Sequence, residues 1–186
     1  MNTFRINCDI TKEEYFDFNK HNLLETPSGR KSLMLFRMIF PVVFMIIFIF
    51  SVFRDSDITL LIVQAVLYTV IALVAWFNAH RMVLGIFRLQ MKSQDDLVND
   101  LLGKSVVTFD FDNGLITDIS EKEEVRVRFE NVMAVYEADK AFYVYYNNIK
   151  AFVIPYRSFG SAEEFRAFQG LLRSSFAKTA HYPTVR

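Results

Sequence analysis

The chain is poor in residues that could do covalent or acid–base chemistry, and those it has are badly spaced for it. Its one cysteine, Cys8, can form neither an internal disulfide nor a zinc site alone. His21, His80 and His181 lie far apart, with no i, i+4 pair to grip a metal from one helix face. Asp110, Asp112 and Asp118 flank what reads as a hairpin. No His or Lys accompanies them as a base, so they read as turn chemistry and not a catalytic dyad. Ser120-Glu121 and Glu123-Glu124 form an acidic cluster that can stay hydrated as a turn. No Gly-rich phosphate loop, Gly-x-Ser-x-Gly elbow or His-Glu-x-x-His motif is present. No catalytic residue, metal ligand or cofactor is expected, and the chain reads as a non-enzyme.

What remains is recognition chemistry. Tyr143 and Tyr145 alternate with Phe142, Val144 and Tyr146, so one set should be core and the two tyrosines should lie on the other face, partly exposed. Tyr156 and Arg157 follow Pro155 at the end of a strand, where they could meet a headgroup or a partner; the preferred reading is that Pro155 stops the strand and Phe159 staples the next helix. Tyr143, Tyr145, Tyr156 and Arg157 are therefore the candidate partner surface. Gln64 and Tyr68 sit one turn apart in an apolar run and could hydrogen-bond another helix.

The elements that position these residues separate by hydrophobic period. Hydrophobic residues make up 52% of the 186, and the surplus is concentrated between Leu33 and Ala79. At ~1.5 Å per residue, Leu33–Phe53 covers about 31 Å, the thickness of a hydrocarbon core. Arg37 should snorkel to one interface, and Pro41 falls in the first turns, where a missing N–H does least damage. Ile58–Ala79 carries no charge. Its aliphatic and Phe side chains favour insertion by on the order of −4 to −7 kcal/mol. Trp76 suits an interface. Only Arg54-Asp55-Ser56-Asp57 separates the runs, which forces an antiparallel hairpin with both termini on one side. Arg30, Lys31 and Arg37 on one flank, with Arg81, Arg88 and Lys92 on the other, place that side in the cytosol. Arg30, Lys31, Arg37, Trp76, Arg81 and Arg88 are the expected membrane-interface set. An impermeant maleimide should leave Cys8 unlabelled in intact cells.

Outside the hairpin, Thr3–Cys8 alternates like a strand, and Thr11 with Glu14 forms a capping box opening a helix over about Lys12–Asn22. Thr26-Pro27-Ser28-Gly29 then breaks it. His80–Leu102 keeps a helical stripe of Val83, Ile86, Phe87 and Met91, and Gly103 is a plausible stop. From Lys104 the period changes to two. Six strands follow in a meander, with Asp112-Asn113-Gly114 as a tight turn. Ser161-Ala-Glu-Glu164 opens a closing helix carrying Phe165, Phe168, Leu172 and Phe176, and the last ten residues or so look frayed. Formal net charge is zero, so there is no basic field for nucleic acid.

The expected class is a membrane α+β protein. A two-helix transmembrane hairpin is inserted into a cytosolic pleckstrin-homology-like (PH-like) antiparallel sheet or barrel, closed by a C-terminal helix, with Thr3–Cys8 as seventh strand. The divisions are an N-terminal strand and helix (1–32), membrane helices (33–53 and 58–79), a helical extension (80–103) and the β domain (104–178).

Several blocks resemble the YcxB-like family of small bacterial membrane proteins. They are Ile10–Tyr15 followed by Phe18 and His21, Phe129–Glu137 leading into Phe142–Tyr146, Val153–Phe159, and Glu163-Glu164-Phe165. Tyr156 departs from the lysine of that pattern, while Arg157 keeps a neighbouring positive charge. The resemblance implies a bacterial cytoplasmic membrane and a PH-like domain, and implies no known reaction. The function expected is a membrane-anchored binding or scaffold module; the alternative is an accessory subunit of a transporter or channel. Its partners would be the bilayer and either a protein or a second copy of the chain.

Overall fold

A computed structural model describes residues 2–54, 57–93, 104–121 and 123–177. The chain forms two compact units, residues 20–93 and residues 1–19 with 94–186. The expected helix stop at Gly103, the end of the 80–102 stripe and the frayed tail lie outside the described residues.

In the second unit, β1 (Thr3–Asp9) pairs antiparallel with β2 (Lys104–Asp110), in a register from Thr3↔Asp110 to Asp9↔Lys104. The N-terminal strand therefore joins a sheet built almost a hundred residues later, and everything between is an insertion. β3 (Leu115–Ser120) and β4 (Glu124–Arg128) complete a four-stranded sheet of order β1-β2-β3-β4. The β2–β3 turn is held by Asp110, whose carboxylate accepts from the backbone N–H groups of Asp112 (3.2 Å) and Asn113 (3.1 Å) and from Asn113 Nδ2 (2.7 Å). Gly114 closes the turn at φ 63°, a region that disfavours residues with a Cβ.

β5 (Ala134–Glu137), β6 (Ala141–Tyr145) and β7 (Ala151–Pro155) form a separate three-stranded antiparallel sheet. The expected barrel is therefore corrected: the described strands form two sheets that do not close. The reason lies at Phe129–Asn131, a single 3-10 turn between β4 and β5. It diverts the chain, and Phe129 becomes a wedge between Phe111 (5.5 Å) and Phe176 (4.7 Å).

The closing helix α4 (Ala162–Phe176) begins at Ser161, whose side chain accepts from Glu164 N–H at 3.1 Å. Phe168, Leu172 and Phe176 are 0–1% exposed and complete a core with Ile6, Phe109, Ile116, Val135 and Phe142. Phe159 packs on Phe165 (5.5 Å) and Phe168 (5.2 Å), as a staple should.

Helix α1 (Lys12–Glu25) starts at the Thr11–Glu14 box: Thr11 N–H donates to Glu14 Oε2 (2.8 Å) and Glu14 N–H to Thr11 Oγ1 (3.2 Å). It runs three residues past its expected end. The break before the next helix is a single residue, Thr26. Its hydroxyl donates to the Asn22 carbonyl (2.6 Å) and accepts from Gly29 N–H (3.0 Å), capping α2 (Pro27–Arg54) with Pro27 in the first helical position. Backbones approach so closely that a Cβ on Gly29 would lie 1.9 Å from the Asn22 carbonyl oxygen.

This early start corrects the reading of Pro41. It lies well inside α2, not in its first turns. Lacking an N–H, it removes the helical bond that would end on the Arg37 carbonyl. The third helix, α3 (Ile58–Ser93), opens at Asp57, whose carboxylate accepts from Thr59 N–H at 2.8 Å. It is continuous through Ala79 to Ser93, so the helical extension begins with no break. Most large side chains of α2 and α3 are exposed: Phe50 is 71% and Phe77 70% accessible.

Candidate functional site

The proposed partner residues do not form one exposed surface. Tyr143 and Tyr145 do face away from Phe142 and Val144, as alternation requires, but both are only 3% exposed. They belong to a second cluster with Phe18, Tyr136, Ala141 and Val153. Phe18 of α1 packs edge-on to Tyr143 (5.4 Å) and lies 6.0 Å from Tyr145, while Tyr136 meets Tyr145 at 5.4 Å. An ion pair, Lys140–Asp17 at 3.0 Å, ties the β5–β6 turn to the same helix. The three-stranded sheet is thus buried on both faces. Burial pushes both phenols up, Tyr143 further by Asp17 and Tyr145 by Tyr136. The run Phe142–Tyr146, aromatic but for Val144 and without a charge, carried this signal, since a strand covered on both faces loses its polar alternation.

Tyr156 is half-buried. Its ring packs on Phe142 (4.9 Å) and Phe165 (5.0 Å), and its hydroxyl donates to the Ala138 carbonyl at 2.6 Å. It closes the turn between β7 and α4. Arg157 is also engaged within the chain. Its Nε donates to Glu14 Oε1 (2.7 Å) and its Nη2 to Glu14 Oε2 (2.8 Å), a two-pronged pair, and Nη2 also donates to the Asp9 carbonyl. The Arg157 hydrogen bond holds the Glu14 carboxyl below its ordinary value against the opposing effect of burial. Arg157 thereby clips the end of β7 to β1 and α1. Sequence spacing could not reveal this partner, because Glu14 lies far away along the chain and already had a local role as a cap.

Asp118 is not gathered with Asp110 and Asp112. Cross-strand register places it opposite Val107 and Val125, on the core face of its sheet. Desolvation raises its carboxyl, against a hydrogen bond from Ser105. Cys8 is 1% exposed, and burial first, then the charges of Asp118 and Glu14, push its thiol up to about 12. The maleimide test at Cys8 is therefore corrected: a protonated, buried thiol stays silent on either side of a membrane. The apolar side chains that do reach solvent here include Met133 (55%) and Ile149 (60%). Both lie at one end of the three-stranded sheet, where Met133 N–H donates to the Tyr145 carbonyl and Tyr146 N–H to that of Lys150.

In the hairpin, Arg30, Lys31, Arg81 and Arg88 are exposed. Arg30 pairs with Glu25 at 3.2 Å and caps the Leu24 carbonyl (2.9 Å). Arg37 and Trp76 come together, the guanidinium 5.9 Å from the ring centroid. Tyr68 stacks on Phe44 at 5.3 Å, with planes 5° apart. Gln64 Oε1 is buried with no hydrogen-bond partner among the described residues. No group of His, Cys, Asp and Glu that could hold a metal occurs among the described residues.

The class these features define is an α+β protein with an apolar helical hairpin. It has two helices long and apolar enough to cross a bilayer, each only 6% buried in its apolar window, and a separate antiparallel β unit closed by a helix. Residues 111–172, from the β2–β3 turn into α4, match the family model of YcxB-like proteins. No curated protein and no solved structure matches the chain.

Proposed function

We propose that the chain is a membrane-tethered binding module: a PH-like β unit, held at the cytoplasmic face of a bacterial cell membrane with both termini cytosolic, that recruits a protein partner. The observation that carries this reading is the insertion itself. The apolar hairpin leaves the β unit after β1 and α1 and returns to it at β2, so the unit is tethered at both ends of the insertion. Seven antiparallel strands and one C-terminal helix support the PH-like reading. With Tyr143, Tyr145 and Tyr156 packed inward and Arg157 clipped to Glu14, the candidate surface moves to the rim bearing Met133 and Ile149. Apolar side chains left in water at one sheet end fit a protein partner.

The second reading, an accessory subunit using the hairpin as interface, is favoured by the buried, unsatisfied oxygen of Gln64. One experiment separates them. The tagged full chain is purified in gentle detergent from its own cells, and stoichiometric companions are quantified by mass spectrometry. The recruitment reading expects a companion lost from Met133→Lys/Ile149→Lys and kept by Gln64→Ala/Tyr68→Ala. The reverse pattern would establish the subunit reading, and a chain that emerges alone would refute both.

A further inference from the structure

The hairpin contains a groove of about 450 Å³ between α2 and α3, walled by Pro41, Phe44, Phe48, Ala65, Ala72 and Trp76 among others. The hydroxyl of Thr69 in its wall is turned onto the Ala65 carbonyl at 2.7 Å, so the lining is apolar apart from the phenol of Tyr68. Its dimensions follow from helix rise. The lining spans Pro41 to Phe48 on α2, roughly 10 Å, and Ala65 to Trp76 on α3, where the longer wall measures roughly 16 Å. That is about the depth of one leaflet, half of a ~30 Å hydrocarbon core.

One end of the groove is marked by charge. Arg37 lies one helical turn before Pro41, and its guanidinium stands over Trp76, which forms the groove wall. Arg37 Nε is buried and has no hydrogen-bond partner among the described residues. Arg30, Lys31 and Arg81 belong to the same end of the hairpin, and Arg30 is already paired with Glu25. A leaflet-deep apolar groove with a guanidinium at its mouth matches a lipid in both its parts.

We propose that this groove binds one anionic phospholipid, an acyl chain lying between α2 and α3 and the headgroup phosphate accepting from Arg37. Lipid tails are as apolar as the groove, so the chain gains nothing from hydrophobic transfer. Selectivity comes from the headgroup, through charge-assisted hydrogen bonds to a planar donor fork. The inference rests on the membrane reading above, and the test distinguishes the failure of each.

Trp76 is the chain's single tryptophan, so its fluorescence reports from the groove wall. The full chain is reconstituted in phosphatidylcholine vesicles containing a fixed fraction of either phosphatidylglycerol or phosphatidylcholine brominated along the acyl chain. Brominated phosphatidylglycerol should quench Trp76 with about fivefold preference, the factor expected for one basic side chain near an anionic surface. Arg37→Gln should abolish the preference, and Arg37→Lys should retain most of it. Equal quenching by both lipids in the unaltered chain would overturn the proposal. An undiminished preference in Arg37→Gln would remove Arg37 from it. No quenching by either lipid would show that the hairpin is not in the bilayer, and the membrane reading would fail first.

Discussion

The β unit and the hairpin are built from similar residue types turned in opposite directions. In the β unit, Phe109, Phe142, Phe168 and Phe176 are 0–1% exposed, and strand faces turned outward carry charges such as Arg126 and Arg128. In the hairpin, Phe50, Phe53 and Phe77 are 70–85% exposed, and the fully buried side chain is Ala79. Water would penalise that second arrangement by ~25 cal/mol per Å² of apolar area left exposed. The comparison teaches that each unit is ordered by the solvent it faces. The β unit is held by exclusion of water, and the hairpin by close helix contact, with its apolar surface turned outward as the proposed bilayer setting requires.

The sharpest way to break the comparison is one substitution made in both units. Phe168→Ala should destabilise the β unit by about 3–5 kcal/mol, while Phe50→Ala, 71% exposed, should change stability by less than about 0.5 kcal/mol. Denaturant titration of the reconstituted chain, followed by tyrosine signals, measures both. Equal losses would mean that the Phe50 face is packed against something other than lipid.

A smaller effect sharpens the hairpin's side of the contrast. Gly29→Ala brings a Cβ to 1.9 Å from a backbone oxygen and should cost about 1–3 kcal/mol. Gly85→Ala meets nothing within 4 Å and should stabilise α3 by up to about 1 kcal/mol. Thermal unfolding of the two variants in the same detergent checks the difference in sign. A neutral Gly29→Ala would show that the helical corner at Thr26 is loose.

The smallest effect concerns the clip on the β unit. Glu14 has a folded pKa below its unfolded value, so its contribution is full above ~4.3, the ordinary carboxylate value, and is lost as pH falls through the folded pKa. Arg157→Gln should cost about 1 kcal/mol at neutral pH. It should also flatten the loss of stability below about pH 4.3. An acid titration that runs parallel in the variant and the parent would show that Arg157 does not govern Glu14.

The elements were largely legible because each rests on local pattern. Thr11 and Glu14, and Ser161 and Glu164, mark helix starts by side chains three residues apart. Asn113-Gly114 marks a turn by a backbone conformation that glycine favours. The candidate site was read less well. Tyr143 and Tyr145 were assigned to the correct face of their strand, but whether that face meets water depends on Phe18, more than a hundred residues earlier. Arg157 could be offered to a headgroup or a partner because its carboxylate partner comes from the other end of the chain. Pro41 was misjudged because Thr26 starts the helix well before the apolar run begins.

By itself, the sequence determined that two long apolar segments are joined by a short loop, that six strands and a helix follow, and that no familiar catalytic motif is present. Those properties depend on hydrophobic period, on caps and on turns, all of which act within a few residues. Only the tertiary structure decided that the strands divide into two open sheets, that α1 covers the aromatic strand, that Cys8 is sealed in a core and that Arg37 meets Trp76 beside an apolar groove. Each of these depends on which distant surfaces exclude solvent from one another, and no local spacing encodes that choice.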